Sequence, residues 1–336
     1  MPYFRRRFLR LCAATTGLTV TSHLLGCNNR NNDSRSELEK LTIGGSPIII
    51  TVLLAYLSEQ STIQALASEV DFSLWKTHDR LRADVVSSRL QISATPTSLA
   101  ANLYQKGVPI KLLNVLVWGV LNLWSWDENI NTWEDLKGKT ILIPFRGGLP
   151  AQLFAYLASE NKLNLDRDLN IQYTTDFAAT VQLLLARRGD FALLSEPAGT
   201  GAEIQGKNKD ISVRSVLNLQ QEWGKVTGRK PRIPQAGTLA LNSLIEEHPE
   251  VIKTVQLELK NSLIWAEQNP SEAAKLGAKY LGLKAEVIQK SLAKTPLEMV
   301  TAIEAKEDLE FWFSRLMERN PKLLGGKLPN ADFYYG

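Results

Sequence analysis

Cysteine and histidine are nearly absent from this chain: two and three residues in 336. Both cysteines, Cys12 and Cys27, stand in the first 27 positions, and only His78 and His248 occur beyond them. No His or Cys pair has metal-ligand spacing, so the usual zinc sites are excluded. There is no G-x-S-x-G, no Walker loop and no full G-x-G-x-x-G. The nearest glycine match, Gly199 to Ile204, lacks the last glycine and reads as a helix start. Glu196 remains as a candidate catalytic carboxylate, but its place before Pro197 equally suits an acid at a helix N-terminus or an acceptor for a ligand. The inventory is that of a protein that binds without turnover, with no cofactor and no metal.

An excess of charge is lacking too. The formal net charge is +4, but removing the first 26 residues takes four of the 39 basic residues and no acid, leaving 35 of each sign. No basic face is left to argue for nucleic acid. Those 26 residues read as an export signal. Arg5, Arg6, Phe8, Leu9 and Arg10 resemble the twin-arginine pattern, and Leu24, Leu25, Gly26 and Cys27 resemble a lipobox, with Cys27 as the lipid-bearing residue. The apolar run between them is about 15 residues, short of the ~20 needed to span a bilayer. Residues 27–39 form a polar tether, and the mature chain then has neither a free thiol nor a disulfide.

What is present, at 44% hydrophobic positions, is apolar material for two α/β lobes. The most informative stretch is Lys139 to Leu157: a β-branched strand, then Phe145, Arg146, Gly147 and Gly148, then a helix with Pro150 at its start. A helix N-terminus beside Arg146 suits an anionic or electron-rich group. A similar device opens the chain, with Leu41 to Ile43 as strand and Gly44, Gly45, Ser46 and Pro47 as turn. Each is followed by a second strand-to-helix loop, Thr95-Pro96-Thr97 in the first half and Ser195-Glu196-Pro197 in the second. In open α/β sheets such loops, at the carboxyl ends of parallel strands, are where ligands bind.

Between the halves, Lys111 to Ser125 is apolar, too long for one strand and without helical period; it predicts two strands meeting near Trp118 and Gly119, as at a crossing between lobes. A helix from Asp79 to Ser88 is expected to place Leu81, Val85 and Val86 on one side. Asp176 is expected to cap a helix, and Leu309, Trp312, Phe313 and Leu316 to form a core stripe. The expected organisation is 40–120 as lobe 1, 121–235 as lobe 2, and 236–336 as a return to lobe 1 with C-terminal helices.

The stretches TPTSLAANLYQKG, VLVWGVLNLWS, TWEDLKGKTILIPFRGGLPAQLF, LLSEPAGTGAEI and LLGGKLPNADFYY resemble those of substrate-binding lipoproteins of ABC importers. The likeness is to the nitrate, sulfonate and taurine or thiamine-precursor (NMT1/THI5-like) group and covers about residues 40 to 335. It implies a two-lobed type II periplasmic-binding fold, each lobe a mostly parallel sheet flanked by helices, with a helical C-terminal part. It also implies a membrane permease as partner, a monomer held outside the cytoplasm by its lipid, and no enzyme activity.

Carried over by position, the resemblance puts the ligand among Ser46, Pro47, Thr95, Pro96, Thr97, Trp118, Phe145, Arg146, Gly147, Gly148, Glu196 and Pro197. The first loop, GGSP, is shorter than the group's usual glycine-aromatic-polar turn. Arg146 and the helix N-terminus favour a small oxyanion; Trp118 as a stacking face and Glu196 as an acceptor favour a flat heterocycle. A membrane-tethered sensor or scaffold lobe is the alternative from another class. A related enzyme branch, the pyrimidine synthase of thiamine biosynthesis, uses a cysteine-rich motif that the mature chain lacks.

Overall fold

Glycine, where it falls in this chain, lets neighbouring elements touch as often as it makes a turn. The computed structural model describes residues 38–129 and 131–336. The expected signal, Cys27 and the tether through residue 37 lie outside the described residues. Strand β1 (Lys40–Gly45) runs through both glycines that were expected to turn. A Cβ on Gly44 would stand 1.9 Å from the Ser73 carbonyl oxygen, and one on Gly45 2.5 Å from Thr51 Oγ1. Both are therefore packing glycines, and the turn is left to Ser46 and Pro47.

Helices α1 (Ile50–Ser58) and α2 (Ser61–Gln64) follow, then β2 (Glu69–Leu74) and α3 (His78–Val86). Thr77 caps α3 by accepting from Arg80 N–H. Leu81 and Val85 are buried, but Val86 is 60% exposed, because one residue further turns a helix by about 100°. β3 (Ile92–Pro96) leads directly into α4 (Thr97–Gln105), which ends before Gly107 at φ 79°. The apolar run that follows splits as its length requires, into β4 (Ile110–Val117) and β5 (Leu121–Ser125), which belong to different sheets.

The second lobe repeats the first. β6 (Thr140–Pro144), α5 (Leu149–Glu160), α6 (Leu165–Asp168), β7 (Asn170–Thr174), α7 (Phe177–Leu185) and β8 (Phe191–Ser195) come in that order. Asp176 caps α7 through the Ala179 N–H at 2.8 Å. Next are α8 (Ala198–Lys207), β9 (Arg214–Asn218) and α9 (Leu219–Thr227). β10 (Ala236–Leu241) then pairs with β3 and β4. Helices α10 (Asn242–Glu247), α11 (Pro249–Gln268), α12 (Pro270–Leu281) and α13 (Ala285–Lys294) precede β11 (Leu297–Thr301) and α14 (Lys306–Arg319).

The first sheet has the order β11-β4-β10-β3-β1-β2 and the second β7-β6-β8-β5-β9. Among the described strands the triplets β2-β1-β3 and β7-β6-β8 are parallel, and the other strand pairings are antiparallel. The sheets are thus more mixed than the expectation of mostly parallel ones. The antiparallel neighbours are the strands that lead into or out of the other lobe, β4 and β5 on the way out and β9 and β10 on the return, together with β11. The two triplets have the same topology and direct their carboxyl-end loops alike, so the weak repeat in sequence is a clear one in topology.

One apolar core runs through both lobes, and a smaller one lies behind the second sheet around Trp124, Leu142, Leu184 and Leu194. In α14, Leu309, Trp312, Phe313 and Leu316 are buried as expected, with Trp312 edge-on to Trp223 of α9 at 5.4 Å. The tail beyond α14 crosses to the first lobe. Asn102 of α4 donates to the Lys322 carbonyl at 2.9 Å, and Tyr335 N–H to the Leu112 carbonyl at 2.9 Å.

Candidate functional site

Three chain segments pass side by side between the lobes, and hydrogen bonds tie them together. Trp118 N–H donates to the Pro296 carbonyl, Ile233 N–H to the Trp118 carbonyl, and Gln235 N–H to the Val117 carbonyl, at 2.9 to 3.2 Å. Gly119 turns the first segment at φ 120°, and the Gln220 side chain lies 2.8 Å from where its Cβ would be. No L side chain fits there by conformation or by space.

The loops at the carboxyl ends of β3 and β8 meet on this bundle. Thr97 N–H donates to the Gln235 carbonyl at 3.0 Å, the Gln235 Oε1 accepts from Val120 N–H at 2.7 Å, and the Val120 carbonyl accepts from Glu196 N–H at 3.2 Å. A continuous relay thus joins Thr97 of lobe 1 to Glu196 of lobe 2. Ser46 and Pro47 adjoin it, since Gly45 pairs with Ala94, next to Thr95. The structure therefore brings together Ser46, Pro47, Thr95, Pro96, Thr97, Glu196 and Pro197, which stand up to 151 positions apart in sequence.

Within this group, Thr95 is fully buried and its Oγ1 has no partner in the protein; the same holds for Thr200 Oγ1, Glu196 Oε1 and Gln220 Oε1. Buried polar atoms are normally satisfied, so such a set beside the crossing segments points to polar ligand chemistry or to trapped water. Thr97 is different, because its hydroxyl is already given to the Pro234 carbonyl at 2.6 Å.

Glu196 also bridges the lobes. Its Oε2 accepts from Thr200 N–H at 3.2 Å and from the Ser291 hydroxyl of α13 at 2.9 Å. Burial pushes its carboxyl above the usual range; the bonds from Ser291 and Thr200 and the charge of Lys294 act in the opposite direction. Lys294, also on α13, pairs with Glu203 of α8 and lies 5.2 Å from the Trp124 ring centroid. Ser291 and Lys294 escaped sequence reading because nothing local marks a serine on a polar helix as the partner of a carboxylate 95 positions away.

Two expected ligand residues are engaged elsewhere. Trp118 is 2% exposed; its indole N–H donates to the Glu298 carbonyl at 2.9 Å and the Arg232 guanidinium covers its face at 4.2 Å. It offers no stacking face, and serves to seal the crossing. Arg146 leans 5.2 Å from the Tyr173 ring centroid, on the outer strand β7, and lines a groove of about 790 Å³ there instead of the space between the lobes.

The glycine loop owes its shape to two residues other than Gly148. The left-handed residues are Phe145 at φ 58° and Gly147 at φ 74°, whereas Gly148 has φ −75° and caps α5. Gly148 is required by space, since its Cβ would stand 2.9 Å from both Phe145 Cβ and the Phe145 carbonyl oxygen. Pro150 is the second residue of α5, one later than expected, where it still lacks nothing the helix would use. Asn320, at the end of α14, donates to the Gly147 carbonyl at 3.0 Å and fixes the loop from behind.

No protein-family model matches the chain. YtlA of Bacillus subtilis (strain 168) is 21% identical over 140 residues, which are 42% of this chain and 38% of that protein, so the match spans well under half of the relative's length. Among solved structures, an ABC transporter protein from Parabacteroides distasonis matches with a TM-score of 0.74 and 22% identity, over 90% of this chain and 99% of that one. The periplasmic aliphatic sulphonate binding protein SsuA from Escherichia coli matches with 0.65 and 17%, over 83% and 93%. The periplasmic nitrate-binding protein NrtA from Synechocystis PCC 6803 matches with 0.62 and 12%, over 86% and 84%. The chain has the two-lobed α/β fold that these transport binding proteins share.

Proposed function

We propose that this protein is the extracytoplasmic solute-binding component of an ABC-type importer, a non-enzymatic monomer that encloses a small molecule between its lobes and presents it to a membrane permease. The observation that carries the reading is the convergence of both lobes' carboxyl-end loops on the three crossing segments, with the unpartnered Thr95, Thr200 and Glu196 oxygens beside them. Lobes joined in this way can hinge, and a ligand touching both shifts the population toward the closed form by its differential affinity. The solved relatives' names include a sulphonate binder and a nitrate binder. The first-turn N–H groups of α5 suit an oxyanion of that sort. The free acceptors Glu196 Oε1 and Gln220 Oε1 suit the N–H donors of a flat heterocycle.

A thermal-shift panel of sulfonates, nitrate and other oxyanions, amino acids and pyrimidine-like heterocycles tests the reading. A ligand at a hundred times its dissociation constant adds about 2.7 kcal/mol to stability. We expect one chemical class to raise the midpoint. If no small molecule does, and a membrane protein binds the unliganded chain instead, the sensor or scaffold reading takes its place.

Export and anchoring belong to the same proposal. Among the described residues no helix is long and apolar enough to cross a membrane. Acylated Cys27 is the proposed tether, each buried methylene contributing about 0.8 kcal/mol. Cys27→Ala is expected to release the protein from the membrane fraction; retention through an uncut N-terminus contradicts it.

A further inference from the structure

A groove of about 790 Å³ lined in part by charged side chains lies on the outer edge of lobe 2, along β7 and between α5 and α6. Ile143, Ala151, Leu165, Leu169 and Ile171 form its floor. β7 is the terminal strand of its sheet. Asn170 N–H donates to the Lys139 carbonyl and the Thr174 carbonyl accepts from Phe145 N–H. In a parallel ladder the alternate residues face the other way, so Ile171 and Tyr173 direct their backbone N–H and C=O groups outward, with no strand beyond them.

The charge of the groove is uneven. Arg146 and Arg319 both line it, and neither has an acidic partner among the described residues. They stand at one end, since Asn320, next to Arg319, donates to the carbonyl of Gly147, next to Arg146. Asp166 of α6 is the acid of the opposite end, where β7 begins.

We propose that this groove is a docking site for an extended acidic segment of a partner protein, which adds to the open edge of β7 and places carboxylates beside Arg146 and Arg319. Main-chain bonds to Ile171 and Tyr173 supply the strand pairing, and the two guanidiniums fix its direction. The site is separate from the cleft between the lobes, and it stands whether or not the cleft binds a transported solute.

The test uses the full chain and two synthetic eight-residue peptides, one alternating threonine with glutamate and one alternating threonine with lysine, with free glutamate and sulfate as small-anion controls. Amide NMR spectra report the contact. The acidic peptide is expected to shift the Ile171 and Tyr173 amides, and the lysine peptide is not. The double variant R146E/R319E, folded by circular dichroism, is expected to lose at least tenfold in affinity for the acidic peptide. Ile171→Pro, folded by circular dichroism, removes one outward donor without touching the β6 ladder or the Tyr173 ring on which Arg146 leans, and is expected to weaken binding while leaving the arginines in place. Equal binding of both peptides, failure of the acidic peptide to shift those amides, or the same shifts and affinity with sulfate or free glutamate alone would overturn the proposal.

Discussion

Glu196 is a carboxyl taken out of water and given too few partners to stay comfortably ionised: two donors reach Oε2 and none reaches Oε1. Its pKa is raised by burial, so between the ordinary carboxylate value and the raised one the folded protein keeps a proton that the unfolded chain has released. The stability this group contributes is complete below the unfolded value and is lost as pH rises through the folded one. Denaturant melts from about pH 4 to about pH 8 should therefore show wild type losing stability with rising pH relative to Glu196→Gln, which cannot ionise. Parallel profiles for the two proteins would mean that the carboxylate is solvated. Sequence reading singled out Glu196 for its place before a proline, but its two donors come from α8 and from α13, and only the second required the fold to be known.

At the scale of elements, the strand, glycine loop and helix from Thr140 to Glu160 were legible because each part is specified locally: β-branched residues, glycines and an early proline. The same locality explains the errors. Gly44 and Gly45 look like a turn in one dimension, yet only the closeness of Ser73 and Thr51 shows why side chains are barred there. Trp118 looked like a stacking face because nothing near it in sequence announces Arg232, which covers it from a segment 114 positions on and itself pairs with Asp308 at 2.7 Å and Glu298 at 3.4 Å. That cluster ties the crossing segments to α14 and β11. Arg232→Ala removes a charged hydrogen bond and the cover of the indole together, and should lower unfolding free energy by about 2 kcal/mol. An unchanged denaturation midpoint would show that the crossing is held by its backbone bonds alone.

For the whole molecule, the two-lobed architecture was readable from the repeat of parallel βα units and from the interrupted apolar run at Trp118 and Gly119, both of which follow from hydrophobic periodicity. The antiparallel strands that complete each sheet were not, because they pair with strands far away in the chain, as Thr95 does with Gly237 in the first sheet. The central claim is that the lobes close on a small molecule at the relay from Thr97 through Gln235 and Val120 to Glu196. Amide hydrogen exchange, measured without ligand and with the best stabiliser from the thermal-shift panel, tests it most directly. The account predicts slower exchange in the segments holding Thr95 to Thr97, Trp118 to Val120, Gln235 and Glu196 together, with the β7 groove unchanged. Protection confined to β7 and α5, or absent from one lobe, would contradict it.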